Sequence, residues 1–132
     1  MQLIVARIKW IMLVSGALTC TMIYAAFAPQ AALRSTFGAS LDGPLAEIVV
    51  RNWGALIALV GAMLIYGAFN PGTRALVLIV AGLSKLTFIG LVLVYGFQYL
   101  GNQAGVSIAF DLVMVALFVL YLIAVRRVPA AA

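Results

Sequence analysis

The chain has 132 residues, of which 67% are hydrophobic and only 8% are charged. Its mean hydropathy is +1.23, a value that excludes ordinary soluble globular domains. The net charge is +5, but the cations stand at the ends of apolar segments and not in a basic stripe or tail, so nucleic acid is not predicted as a partner. The composition predicts an integral membrane protein whose first partner is the lipid bilayer.

Four long apolar runs follow one another along the chain, and each is long enough for the roughly 20 residues that cross a bilayer. They predict a single all-α domain over residues 1–132, an integral membrane four-helix bundle with helices at about 3–28, 45–69, 73–99 and 105–125. The breaks between the runs carry helix-stop and turn signals: Pro29, then Gly43 with Pro44, then Pro71 with Gly72.

The connection between the first two helices is the longest outside the apolar runs. Leu33, Phe37 and Leu41 recur there at intervals of four, with polar residues between them. Two interpretations remain open at this point. The segment is either a short amphipathic helix on the membrane surface or an ordinary loop that Phe37 anchors at the lipid headgroups.

The positive charges of the short flanks predict the orientation of the bundle. Five cations fall on the same side of an even-numbered bundle, namely Arg7, Lys9, Arg74, Arg126 and Arg127, whereas the connections on the other side hold only Arg34. Cytoplasmic flanks carry an excess of lysine and arginine. We therefore predict a multi-pass protein of the cell inner membrane with both termini cytoplasmic.

Lysine at position 85 lies near the middle of the third run, roughly 15–20 Å from its outer end at 1.5 Å of rise per residue. A charge at that depth costs at least about 2.5–3.5 kcal/mol, so its side chain should face a partner or a wet cavity. Asp111 lies roughly 10 Å into the fourth run. We predict a polar cluster in the outer half of the bundle, between helices two, three and four, formed by Arg51, Asn52, Lys85, Asp111, Glu47, Ser84 and Ser107.

Two interpretations of this cluster predict different surroundings. In the structural one, the charges neutralise one another in a dry interface, with Glu47 and Arg51 paired four residues apart and Asp111 as the counter-ion of Lys85. In the functional one, a retained intramembrane charge marks a site, and a cleft of a few hundred cubic ångströms lies beside it.

Other residues predict packing, and the absence of some residue types limits the chemistry. Gly54, Ala58, Gly61 and Ala62 have the small-residue spacing of a close helix contact, which we assign to packing within the chain ahead of a contact between copies. Trp53 has the place of an interfacial anchor. With Cys20 as the single cysteine and no histidine in the sequence, we predict no catalytic residue and no metal site.

The first helix ends in Phe27-Ala28-Pro29, and the second helix opens with the segment Arg51-Asn52-Trp53-Gly54-Ala55-Leu56. With the partly amphipathic connection, this arrangement over about residues 9–125 resembles the DoxX-like small four-helix bacterial membrane proteins, including a related family of unknown function. Some DoxX-like members are associated with quinone-linked sulfur oxidation or with partner proteins of redox systems. The resemblance therefore implies quinone or lipid as candidate ligands, and Arg51 is the one residue to which a family position can be carried over.

Three functions fit these observations. The leading hypothesis is a non-catalytic accessory or interaction subunit of a membrane complex, with another membrane protein or a second copy of the chain as its partner. The first alternative is a quinone, lipid or small-anion binding protein linked to a membrane redox system. The second is a small transporter in which Lys85 and Asp111 exchange partners, although the first helix lacks the essential glutamate expected of a small multidrug transporter.

Overall fold

The computed structural model describes residues 2–127, and this part of the chain is helical apart from short connections. The helices are α1 Gln2–Cys20, α2 Tyr24–Phe27, α3 Pro29–Phe37, α4 Pro44–Phe69, α5 Arg74–Tyr95 and α6 Gln103–Arg127. A 3-10 turn at Thr21–Ile23 joins α1 to α2 in one rod, and two further 3-10 turns lie at Pro71–Thr73 and Phe97–Tyr99.

Four segments of this structure are long and apolar enough to cross a membrane, namely Gln2–Phe27, Pro44–Phe69, Pro71–Tyr95 and Gln103–Arg126. The prediction of an all-α protein with four membrane-spanning helices is confirmed in these terms. The sidedness of the termini stays a prediction.

Successive long helices are neighbours, and α1 also contacts α6, so the four spans form a closed ring of antiparallel rods. One end of this bundle carries the start of α1, the α4–α5 connection and the end of α6; we call it the terminal end. The other end carries α3, the start of α4 and the α5–α6 connection; we call it the α3 end.

The third span ends earlier than the sequence predicts. The expected end was near Tyr99, but α5 ends at Tyr95 and Gly96 leaves the helical conformation, with φ −132° and ψ 30°. Glycine is among the weakest helix formers because its backbone loses the most freedom in a helix. The next residues, Phe97–Tyr99, form a 3-10 turn that directs the chain across the bundle.

The first connection forms helix α3, which begins with Pro29 at a position that needs no amide hydrogen and ends at Gly38 in the left-handed conformation, with φ 70°. Its buried residues are Pro29, Ala32, Leu33 and Thr36, which share one helical face. Phe37 packs against the rings of Trp53, Phe88 and Tyr99. The apolar face of α3 is thus directed toward the bundle, and a location at the membrane surface stays a prediction.

The α1–α2 rod and α4 approach each other closely because glycines stand at their contact. A Cβ atom on Gly61 would lie 2.6 Å from the amide nitrogen of Cys20 and 2.7 Å from the carbonyl oxygen of Gly16, and one on Gly54 would lie 2.5 Å from the Cβ of Ala25. Real Cβ atoms do not approach backbone so closely. The small residues of α4 therefore serve packing within the chain, as predicted.

The bundle is packed differently in its two halves. At the terminal end one core joins all four spans and includes Ile8, Leu64, Leu78 and Phe118. At the α3 end a smaller core joins α5 and α6 through Ile89, Val92 and Ile108, with partly buried Phe37, Phe88 and Leu100 against it.

The α1–α4 contact can be tested by a pair of glycine-to-alanine substitutions. Gly61→Ala should destabilise the protein by about 1–3 kcal/mol, because the methyl group overpacks a backbone contact. Gly90→Ala is the matched control, since a Cβ at Gly90 meets nothing within 4 Å and alanine is the better helix former. Thermal unfolding in detergent measures both variants, and equal stability of the two would contradict the contact.

Candidate functional site

The two ionised side chains in the middle of the spans meet directly. Lys85 Nζ on α5 donates a hydrogen bond to Asp111 Oδ1 on α6 at 2.7 Å. The two side chains are only 8% and 16% exposed. At 1.5 Å of rise per residue, Lys85 lies about 15 Å from the end of α5 and Asp111 about 12 Å from the start of α6. Within residues 2–127 this is the only ion pair between side chains.

The pair explains how a lysine is retained so deep in an apolar segment. An unpaired charge at the centre of a span costs at least about 2.5–3.5 kcal/mol of insertion free energy. A hydrogen-bonded counter-ion offsets part of that cost. The pair carries no net charge. An ammonium has three N–H donors and an ionised carboxylate has several acceptor positions, and Asp111 Oδ1 is the one hydrogen-bond partner of Lys85 in the described part of the chain. Donors and acceptors of the pair thus remain available to a third molecule.

A cavity of about 680 Å³ lies beside this ion pair, in the α3 half of the bundle. Its walls come from the end of the α1–α2 rod and from α4 on one side, and from α5 and α6 on the other. About 10–15 Å³ of such volume is enough for one water molecule, and ligand pockets usually span about 300–1,000 Å³. The space beside Lys85 and Asp111 is therefore of ligand size.

Serine and threonine hydroxyl groups of the first rod, α5 and α6 add further polar atoms to the cavity wall. They belong to Thr19, Thr21, Ser84, Thr87 and Ser107. The three threonine hydroxyls donate to carbonyl oxygens of the preceding helical turn, so their oxygens face a ligand mainly as acceptors.

Apolar and aromatic side chains form the rest of the cavity wall. Trp53 on α4 and Phe88 on α5 line it near the α3 end, and Thr36 brings α3 itself to its edge. Phe37, the next residue of α3, lies with its ring centroid 6.1 Å from that of Trp53 and 6.4 Å from that of Phe88. Trp53, which the sequence placed as an interfacial anchor, is thus part of the cavity.

The structure brings together four of the seven predicted cluster residues. Lys85, Asp111, Ser84 and Ser107 all line the cavity. Glu47, Arg51 and Asn52 are exposed and do not line the cavity of the described chain.

The reason lies in the direction of the α4 side chains. Successive residues of an α-helix are rotated by about 100°, since one turn takes 3.6 residues. Arg51 therefore points about 200° away from Trp53, which faces the cavity, and Glu47 lies on nearly the same side of the helix as Arg51. The predicted Glu47–Arg51 pair is not formed within residues 2–127.

The guanidinium of Arg51 instead binds the end of the first rod. Its Nη1 donates to the carbonyl oxygen of Ala26 at 2.5 Å. The last carbonyl groups of a helix have no partner in the helix itself, and α2 ends at Phe27. Arg51 thus satisfies one of these carbonyls and fastens the start of α4 to the end of the rod.

The sequence interpretation missed the contribution of the first rod and of α3 to the cavity. Thr19, Thr21, Met22 and Tyr24 line it from the rod, and Thr36 lines it from α3. The available signal was the group of hydroxyl residues at the end of an otherwise apolar helix.

No protein-family model, curated protein or solved structure matches the chain. Among the described residues, no three or more histidine, cysteine, aspartate or glutamate side chains come together in a way that could hold a metal ion. The groups that line the cavity are an ion pair without net charge, several hydroxyl oxygens and aromatic side chains.

Substitutions at the pair distinguish a coupled ion pair from two independent residues. Lys85→Met leaves the Asp111 carboxylate buried without a partner and should destabilise the protein by about 3–5 kcal/mol. The double variant Lys85→Met with Asp111→Leu removes both charges and should lie within about 1 kcal/mol of the wild type, because apolar replacement of a whole buried pair is often neutral. Unfolding in detergent measures both variants, and a double variant less stable than the single one would contradict the coupling.

Proposed function

We propose that this protein binds a small, neutral, amphiphilic molecule in the cavity beside Lys85 and Asp111 and performs no catalytic step of its own. The observation that carries the proposal is the cavity of about 680 Å³ next to a directly bonded ion pair. A pair that only locks two helices together needs no such space. The direct Lys85–Asp111 contact also suits a structural role, and the cavity is what favours a binding role.

The charge balance of the site favours a neutral ligand over a small anion. Lys85 would attract an anion, but the Asp111 carboxylate beside it repels the same charge. A carbonyl oxygen can accept from the ammonium, and a hydroxyl can donate to the carboxylate, without disturbing the neutrality of the pair. A headgroup that carries carbonyl or hydroxyl groups therefore matches the site better than phosphate or a carboxylate does.

Quinones are the ligand class that we propose to test first. A quinone ring has carbonyl oxygens that become hydroxyl groups on reduction, so both forms have groups for Lys85 or Asp111. Its flat ring is suited to packing against Trp53 and Phe88 in the same cavity wall. The resemblance to DoxX-like proteins implies the same class, and other neutral lipids with a compact headgroup are the alternative.

The distribution of charge supports the proposed location in the cell inner membrane with both termini cytoplasmic. Arg34, Arg51 and Lys85 balance the three acidic residues of the chain, so the whole excess of positive charge belongs to the terminal end. Lysine and arginine are retained on the cytoplasmic side during insertion. A role as an accessory subunit, with a membrane protein or a second copy as partner, is compatible with ligand binding and stays part of the proposal.

A transport function has less support from the structure. Transporters commonly place their substrate between interrupted helices near the centre of the membrane. Here α4, α5 and α6 are continuous helices. The irregular segments of the four described spans are the 3-10 turn at Thr21–Ile23 and the 3-10 turn at Pro71–Thr73, which stands at the very start of the third span.

Trp53 provides a reporter for the proposed binding. In the Trp10→Phe protein, Trp53 is the only remaining tryptophan, and it lines the cavity. A decyl-substituted benzoquinone added to the protein in lipid nanodiscs should quench its fluorescence saturably. The Lys85→Met/Asp111→Leu variant should bind about tenfold more weakly or worse, since a hydrogen bond to a charged group contributes about 1.5–3 kcal/mol.

Two controls separate this binding from partition of the quinone into the bilayer. Glu47→Gln alters an exposed residue at the same end of the bundle that is outside the cavity lining, and it should leave the saturable quenching unchanged. In Trp53→Phe, the remaining Trp10 reports from the terminal end and should show only unsaturable quenching. Unsaturable quenching of Trp53, equal in the wild type and the double variant, would refute the proposal for quinones.

A further inference from the structure

A second, smaller depression lies next to the cavity on the outside of the bundle. It has a volume of about 330 Å³ and is lined by residues of α3, α4 and α5 and of the turn after α5. Its walls are apolar or aromatic and include Leu33, Val49, Val92, Tyr95 and Tyr99. Within the described chain none of the residues that line it is charged. We call this depression the α4–α5 groove.

The groove and the cavity are adjacent. Trp53, Phe88 and Leu91 line both of them, so these three side chains form a common wall between a chamber that contains an ion pair and one that is apolar. A molecule with a polar head and an apolar chain would suit this arrangement, with its head beside the ion pair and its chain in the apolar groove.

The groove faces the side of the bundle on which a membrane-embedded protein meets lipid. Val49 is 58% exposed and Leu91 is 54% exposed, and both belong to spans long and apolar enough to cross a membrane. Their exposure is therefore to hydrocarbon, and the acyl region of the bilayer is the phase next to the groove.

Helix α3 covers the other route, which leads from the cavity to the aqueous phase at the α3 end. It is bound to both sides of the bundle: Asn102 Nδ2 of the α5–α6 connection donates to the Phe37 carbonyl oxygen at 3.1 Å, and the hydroxyl groups of Tyr24 and Ser35 share a hydrogen bond at 2.7 Å. Of the buried residues of α3, Thr36 lies between these two contacts and lines the cavity. Helix α3, held by these contacts, thus stands between the cavity and the aqueous phase at this end.

We infer that the ligand is a single-chain lipid-like molecule that reaches the cavity sideways from the bilayer, between α4 and α5, and leaves its apolar chain in the α4–α5 groove. This inference rests on the proposed function, because it assigns the head to the cavity beside Lys85 and Asp111. It adds the chemical class of the rest of the molecule and the route by which it arrives. A water-soluble metabolite with the same headgroup has no apolar chain that could occupy the groove.

The test compares one probe that has a chain with one that lacks it. Decyl-substituted benzoquinone and its ring alone, a dimethoxy-methyl-benzoquinone, are titrated against Trp53 fluorescence in the Trp10→Phe protein in lipid nanodiscs. Val49→Phe fills the groove from its lipid side. Val94→Phe is the matched control, because Val94 is 72% exposed on α5 and does not line the groove.

Val49→Phe should weaken binding of the decyl probe about tenfold, the cost of displacing a few methylene groups from the groove, and should change binding of the ring alone less than about twofold. Val94→Phe should change neither. Tyr95→Ala, which removes a groove wall and does not fill the space, should also weaken the decyl probe selectively, and it keeps the test decisive if Val49→Phe does not fold.

The outcomes separate this inference from the proposed function. If the decyl probe binds saturably and depends on Lys85 and Asp111, but Val49→Phe and Tyr95→Ala leave its affinity unchanged, the groove assignment is wrong and the proposed function stands. If the ring alone loses affinity as strongly as the decyl probe, the groove does not hold the chain. If neither probe binds saturably to the unsubstituted protein, both proposals fail for this ligand class.

Discussion

The cost of holding an ammonium group inside an apolar span is the constraint on which the rest of this structure depends. The ammonium of Lys85 is buried in the third span, and the Asp111 carboxylate, 2.7 Å from its Nζ, offsets part of the cost of that burial. The contact determines how α5 and α6 are rotated about their axes, because both side chains have to point toward the same place. That place is the interior of the α3 half, where the bundle keeps open space beside the pair.

The two halves of the bundle differ in how their interiors are filled. At the terminal end, all four spans share one apolar core. At the α3 end, Gly54 brings α4 against the end of the first rod, and Ile89, Val92 and Ile108 hold α5 and α6 together. The cavity lies between these two pairs of helices. A half with one continuous core thus adjoins a half whose interior is not filled by its own side chains, which is the arrangement expected of a preformed site.

Much of this arrangement could be predicted from the sequence. Hydropathy over long windows indicates a membrane span because only a helix satisfies its backbone in lipid, so the number and approximate bounds of the spans followed. The close approach of α1 and α4 followed from Gly54 and Gly61. Lys85 and Asp111 were expected to meet because an isolated charge at either position is costly in hydrocarbon.

Which residues line the cavity could be predicted less well from the sequence. Depth can be counted along a helix, but the direction of a side chain around the helix axis depends on the neighbouring helices. Glu47 and Arg51 have a suitable depth and the wrong direction. The size of the cavity and the role of α3 in covering it depend on how far two packed helix pairs stand apart, and no local residue pattern encodes that distance.

The attachment of α3 has a consequence for selectivity. Through Asn102 this helix is tied to the α5–α6 connection, and through the hydroxyls of Tyr24 and Ser35 it is tied to the first rod. It therefore joins the two sides of the bundle at this end. In the proposed function, a headgroup too wide for the chamber would have to break one of these ties, so the attachment of α3 would set an upper limit to the girth of the ligand.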